Sequence, residues 1–532
     1  VPSAEAASAM WYGARQPPEA VSIAEPGRQH EVRSAFIHAM EGYTKHAWGI
    51  DEVDPVKKVG LPSYGMGLTI IDSLDTMLLM GLRDDFKRAV DWIERYLKFG
   101  SQEGINVFEV TIRVLGGLLS AYELSGEEVL LNRAEDIARQ LLFAFATPTG
   151  LPYGTVSLHS RQRSNPQWAS GASTIAEVAT LQLEFRALSR HTGDPVFEGV
   201  AQRVMTHLRT MERPEQLPRG VYPTFISPET GVFANADITL GARADSLYEY
   251  LLKQWLISSR TDRRVRTMYD DSVRAIRRHL VRLGGESVCG NCTYTGMWNY
   301  RTNAFQPQMD HLVCFMPGML ALGAEGPQAQ EEMDLAESLM ETCYRMYSEQ
   351  PTGLAPEICS FRSKGVTANA QAKHSLLRPE TVESLFILWR VTGRQRYRDW
   401  GWEVFSAIER HAKIPGGGYS GVRDVTMPVH KGFPLEHNGR MESFFTAETL
   451  KYLYLLFGDG ADIPLDRYVL NTEAHPLEIH EDYQWGKQWG SLPPRAELSR
   501  RQPSENQTLQ DARLAMLKIS DERTASLRQR GL

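Results

Sequence analysis

The chain has 532 residues, 42% of them hydrophobic and 23% charged, with a net charge of −7. That balance argues against nucleic acid as a partner, and no stretch reaches the roughly 20 apolar residues of a membrane span. Length alone would suggest about three domains, but the pattern along the chain points to one large repeat array.

Residues 1–28, rich in Ala, Pro and Glu, read as a linker or stalk. The opening VPSAEAASAM has no initiator Met, which is compatible with an anchor segment upstream. From there polar-faced helices are predicted at Glu31 to Trp48, Asp84 to Leu97, Glu127 to Phe145, Pro195 to Met211, Asp262 to Leu283, Gln328 to Tyr347 and Gln395 to His411. Between them stand apolar runs of helical length, each headed by an acid: Asp72, Glu109, Glu177, Asp245, Asp310, Glu380 and Glu448. The steps between those acids are 37, 68, 68, 65, 70 and 68 residues, so they mark an internal repeat.

Seven amphipathic helices alternating with seven apolar ones suit two concentric layers, the apolar set inside. The competing open solenoid fits less well, because the apolar runs are hydrophobic all round. If the ring closes, the acids gather at one end of it. Turn-rich stretches at Pro148, Tyr222, Pro351 and Pro415 are expected to form hairpins. Residues 485–532 are polar and poor in large aliphatics, and read as an extension outside the array.

The chain has five cysteines, Cys289, Cys292, Cys314, Cys343 and Cys359. Cys289 and Cys292 have half-site spacing, but no second pair accompanies them for zinc. Sequons at Asn291 and Asn506 are compatible with the secretory route, although two in a chain this long also fit chance.

A single acid in the first turn of a helix is usually a dipole or capping device. Here Arg113 lies four residues after Glu109, Arg243 two before Asp245 and Arg378 two before Glu380. Repeated arginine beside carboxylate makes a polar funnel for many hydroxyls. Aromatics at Phe108, Tyr248, Trp298, Phe444 and Phe445 could stack on a sugar. Several carboxylates facing a polyol suit glycoside hydrolysis, in which one acid protonates the leaving oxygen and another carboxylate activates water.

The stretches GLTIIDSLDTMLLMGL from Gly67, FEVTIR from Phe108, TLGARADSLYEYLLKQW from Thr239, HLVCFMPGMLALG from His311, GLAPEI from Gly353, LRPETVESLF from Leu377, MESFFTAETLKYL from Met441 and LNTEAHPL from Leu470 carry a family resemblance. Over roughly residues 28–480 the chain resembles glycoside hydrolase family 47, the class I α-1,2-mannosidases of the secretory pathway. The resemblance implies an (α/α)7 barrel over residues 29–484, acting as a monomer in the lumen of the endoplasmic reticulum or Golgi. It also implies calcium-dependent, inverting removal of mannose from N-linked oligomannose.

By the same resemblance Glu380 is the base, Glu109 the acid acting through a water, and Asp245 the other carboxylate in contention. Thr472 is the direct calcium ligand. Glu177, Glu383, Glu448 and Glu473 surround metal and sugar, while Arg113, Arg378, His311 and Phe444 touch substrate. Cys314 and Cys343 match the family disulfide; a Cys289–Cys292 bridge is a guess without such a counterpart. Arg243 stands where endoplasmic-reticulum enzymes carry Arg and Golgi enzymes a smaller residue. That favours removal of a single mannose, with a Golgi-type enzyme or a lectin-like quality-control factor of the same fold as alternatives.

Overall fold

The computed structural model describes residues 24–211, 217–362, 365–428 and 435–479. The expected C-terminal extension, Asn506 and most of the expected stalk lie outside the described residues.

Among the described residues the outer helices are Pro26–Ala47, Arg83–Tyr96, Glu128–Leu141, Pro195–Thr210, Arg263–His279, Ala329–Ser348 and Arg396–His411. The first starts before Glu31, with Pro26 supplying a helix-ready φ at its first turn. The fifth ends well before Leu283, because Val281–Leu283 leaves as a strand paired with Thr293–Thr295.

The inner runs fold as seven helical segments. They are Leu68–Asp72 continued by Leu74–Leu79; Val107–Glu109, a π-helical Val110–Leu115 and Gly116–Ser125; Ile175–Ala179 with Gln182–Thr192; Asp245–Ile257; His311–Phe315 with Met316–Gly323; Glu380–Thr392; and a π-helical Phe445–Thr449 with Leu450–Leu456. Each packs on the next, and the seventh returns to the first. There the Ser73 hydroxyl donates to Thr446 Oγ1 at 2.9 Å, within the seam. The ring is therefore closed: an (α/α)7 barrel.

Helix chemistry decides which end is open. Three inner helices finish on a left-handed glycine, Gly126, Gly193 and Gly393, which satisfies a terminal carbonyl and turns the chain at once into the next outer helix. Connections at that end are short. At the other end each outer helix leads to the next inner helix through a longer segment, which carries short strands in all but the last case among the described residues.

Hairpins form after Pro148, where Thr155–Val156 pairs with Arg163–Ser164, and after Pro351, where Ile358–Ser360 pairs with Thr367–Ala368, while the stretch after Tyr222 closes on a single bridge between Ile226 and Phe233. Other pairings stitch neighbouring loops: Ile105–Asn106 pairs with Thr155–Val156, Ser173–Thr174 with Phe225–Ile226, and Gln308–Asp310 with Ile358–Ser360. The glycine-rich stretch after Pro415 gives only an isolated bridge between Lys413 and Tyr419. Disulfides join Cys289 to Cys292 and Cys314 to Cys343, and Cys359 is free and buried. No described helix is long and apolar enough to cross a membrane.

Candidate active site

A cavity of about 370 Å³ opens at the loop end of the barrel, within the size range of small-ligand sites. Glu109, Glu177, Asp245, Glu380 and Glu448 line it, each from a different inner helix. The other two acids of the repeat do not. Asp72 ends its helix instead of heading one, because the backbone breaks at Ser73, and it is wholly buried. Asp310 accepts a hydrogen bond from Ala242 N at 2.9 Å and braces the loop before Asp245.

Each lining acid is placed by local structure. Asn106 caps the second inner helix, its Oδ1 accepting from Glu109 N at 3.0 Å while its Nδ2 donates to Glu177 Oε1 at 2.8 Å. Glu177 completes a capping box with Thr174. Asp245 and Glu380 open their helices, and Glu383 follows Glu380 by one turn. Glu448 and Arg113 both lie in π-helical turns, a distortion common at functional sites. Arg113 Nε donates to Glu109 Oε2 at 2.7 Å, and its Nη1 pairs with Glu473 and lies 3.5 Å from Asp72. Phe444 sits under both Arg113 and Arg378, its ring 5.7 and 5.5 Å from the guanidinium carbons.

The floor is a hairpin, Tyr468–Leu470 paired with Pro476–Glu478, whose turn enters the barrel. Asn471 folds that turn by accepting from Glu473 N and His475 N at 2.8 and 2.9 Å. The inner helices grip it with buried charge. Lys451 Nζ donates to Ala474 O at 2.7 Å and pairs with Asp75 at 2.9 Å, and His475 lies 2.8 Å from Asp75 and 3.2 Å from Asp72. Gly116 and Gly117 leave room for the tip, since a Cβ at Gly116 would come within 2.6 Å of Asn471.

The turn presents Thr472 and Glu473 to the cavity. Among the described residues neither the hydroxyl nor the carbonyl of Thr472 accepts a hydrogen bond, and no three His, Cys, Asp or Glu side chains converge as a direct ligand set. Two free oxygens below a group of carboxylates fit a hard cation that keeps most of its waters.

Burial would raise Glu380, but the His311 contact and the charge of Arg378 outweigh it, holding its carboxyl below the usual glutamate range. Asp245 behaves oppositely. Burial, reinforced by Glu249, Asp310 and Glu380 against the Ser246 N–H, pushes it up to about 8. Burial also raises Glu383, Glu448 and Glu473, and neighbouring carboxylates add to the effect.

At the mouth Arg243 adopts φ +80° and stacks on Trp168, 4.7 Å from its ring, and near Phe225 at 5.8 Å. It forms no ion pair with Asp245 among the described residues. His311, expected to touch the sugar, is not on the cavity wall: its Nδ1 lies 2.8 Å from Glu380 Oε2. Of the five candidate stacking aromatics, Phe108 and Phe444 reach the cavity, whereas Tyr248, Trp298 and Phe445 do not.

Sequence reasoning missed Trp168, Glu249 and Glu357. Glu357 accepts from Arg378 Nε at 2.5 Å and from Leu376 N at 3.1 Å. Its presence in GLAPEI was the available signal. Trp168 lies in a loop with no periodicity to mark it.

A closed double ring of helices with eight carboxyl side chains lining one cavity suits the class of glycoside hydrolases, which work with paired carboxyls. Residues 35–479 match glycosyl hydrolase family 47, and the chain belongs to that family. The endoplasmic reticulum mannosyl-oligosaccharide 1,2-alpha-mannosidase of Rattus norvegicus is 45% identical over 460 residues, covering 85% of this chain and 68% of the relative. Mannosyl-oligosaccharide 1,2-alpha-mannosidase IB of Mus musculus is 41% identical over 463 residues, covering 85% and 70%. The structure of an alpha-1,2-mannosidase from Trichoderma reesei matches with TM-score 0.78 and 30% identity, covering 86% of this chain and all of that one. The chain is accordingly an α-1,2-mannosidase of mannosyl oligosaccharides, and its relatives place it in the secretory pathway.

Proposed function

We propose that this enzyme is of the endoplasmic-reticulum type and removes chiefly one α-1,2-linked mannose from N-linked oligomannose, with inversion. The observation that carries the chemistry is the split between two carboxyls of one cavity: Glu380 held down and Asp245 pushed up to about 8. Groups whose environments drive their proton affinities apart divide into base and acid. Glu380 takes the proton of the attacking water. Asp245, still protonated near neutrality, is the proton reserve for the leaving oxygen. Glu109, ion-paired with Arg113, orders the water between acid and sugar.

Thr472 would hold calcium through its hydroxyl and carbonyl, with Glu448, Glu473 and Glu383 holding the waters. Bound there, calcium would supply positive charge against this acidic floor and open coordination positions for oxygen ligands of a sugar. Arg378 and Phe444 form the wall beside Glu380, Glu177 the wall beside Asn106.

Single-branch preference rests on Arg243. Stacked on Trp168, its guanidinium narrows the mouth and presents fixed donors to one branch. Glycan profiling of products from a nine-mannose substrate tests this. The unmodified enzyme should stop mainly after one mannose, and Arg243→Leu should trim further. Similar release of every α-1,2-mannose by the unmodified enzyme would assign it instead to the Golgi type.

A further inference from the structure

Glu380 is not held by its own helix alone. Behind it stands His311, and behind His311 stands Tyr347 of the outer helix Ala329–Ser348, with its hydroxyl oxygen 2.7 Å from His311 Nε2. The rings meet edge to face at 5.6 Å. His311 and Tyr347 are 2% and 5% exposed, so the arrangement is sealed from the cavity.

The proton positions follow from the chemistry of the three groups. An ionised carboxylate only accepts, so the Nδ1 at 2.8 Å from Glu380 must carry a proton and donate it. In the neutral ring Nε2 then offers a lone pair, and the groups at it are hydroxyls: Tyr347 at 2.7 Å and Thr381 at 3.1 Å. The Tyr347 hydroxyl donates into that lone pair, which stabilises the Nδ1–H tautomer that the carboxylate requires. Burial pushes the Tyr347 hydroxyl well up, so it remains a donor throughout the working range.

We propose that Tyr347 is a positioning residue for the base: its hydroxyl fixes His311 in the Nδ1–H tautomer, which in turn orients the Glu380 carboxylate and keeps it ionised. The fold maintains the contact with a covalent tie one turn away on each side. Cys314, three residues after His311, is bonded to Cys343, four residues before Tyr347. The backbone of His311 is fixed as well, its N–H donating to Glu357 O at 2.8 Å. The charged and titratable groups facing Glu380 are His311, Arg378 with Glu357 behind it, Glu383, Asp245 and Glu448. Of these only His311 bonds to Tyr347. The inference presumes Glu380 as the base.

Tyr347→Phe tests it. Expected is a kcat reduced by about tenfold, the scale of losing the orientation given by one charge-assisted hydrogen bond, with KM nearly unchanged. The acidic limb of the kcat/KM profile should move toward higher pH, because a loosened Nδ1–H contact no longer holds Glu380 down. Thr381→Val should leave that limb in place, and the double variant should move it further than Tyr347→Phe alone. An unmoved acidic limb in a folded Tyr347→Phe enzyme would overturn the proposal, whatever happened to kcat.

The tautomer can also be read in the unaltered enzyme by ¹⁵N NMR, with the His311 signal assigned by its loss in His311→Gln. Neutral Nδ1–H imidazole supports the proposal; the Nε2–H form or the imidazolium overturns it. If Glu380→Gln retained near-normal turnover, the assignment of the base would fail, a result distinct from any change at Tyr347.

Discussion

Asp245 and Glu380 share a cavity but differ in how their helices meet it. Glu380 accepts from the His311 ring nitrogen and lies in the field of the Arg378 guanidinium, whereas Asp245 has mainly the Ser246 N–H at 3.0 Å and faces other acids. This difference predicts a bell-shaped kcat/KM profile. Activity should fall below the ordinary glutamate value as Glu380 protonates and fall again near pH 8 as Asp245 ionises. Asp245→Asn should cost about 10² to 10⁴ in rate and remove the alkaline limb. A variant that kept the limb near pH 8 would place the proton reserve elsewhere. The sequence showed these two carboxylates through the repeat of 65 to 70 residues, because the same helix-start geometry recurs. It could not show which was raised, since that depends on groups brought in from other helices.

At the scale of elements, the hairpin that floors the site depends on buried charge. Asp75 is held below its ordinary value, the charges of Lys451 and His475 outweighing burial, while Asp75 and Asp72 hold His475 above its ordinary value. A depressed carboxyl contributes stability above its ordinary 3.8 and loses it as pH falls through the lowered value. A raised imidazole contributes fully below its ordinary 6.5 and loses it as pH rises through the raised value. The grip is therefore fullest between those two ordinary values. Lys451→Met strands Asp75 without its ammonium partner and should destabilise the fold by about 3–5 kcal/mol at pH 6, measured by chemical denaturation. Gly116→Ala should push the Asn471 turn away from the second inner helix, with activity lost before stability. Normal kcat in that variant would show that the tip need not pack so closely. None of this was legible beforehand. Asn471, Thr472 and Ala474 are ordinary turn residues in type, and only the family resemblance singled out Thr472. Asp72 was misread for a similar reason: the apolar run continues through Ser73, hiding the break that makes Asp72 a helix end.

For the whole molecule, closure of the ring was readable because a repeat of seven inner runs, each apolar all round, leaves no solvent face for an open stack. The way loops pair across repeats was not, because strands of two or three residues leave no periodicity. A cation held at Thr472 by the folded chain alone would stabilise that whole ring by mass action, by about 2.7 kcal/mol at a hundredfold excess over Kd. Exhaustive chelation should therefore lower Tm and abolish turnover together, and calcium should restore both more effectively than magnesium, which demands a smaller octahedral shell. Full activity in protein shown by elemental analysis to be metal-free would remove calcium from the account.

The floor hairpin follows all fourteen helices in chain order, and this sets a timetable for the emerging polypeptide. Until residues 468–478 are made, Asp72 and Asp75 have no hairpin tip to meet, and the mouth above them has no floor. A chain with all fourteen helices but no docked hairpin is thus a ring with its ionic latch still open and no Thr472 in its floor. Activity begins only when residues 468–478 arrive and dock, so competence is reported by the last-folding piece of the barrel, not by the helices that supply most of the carboxylates.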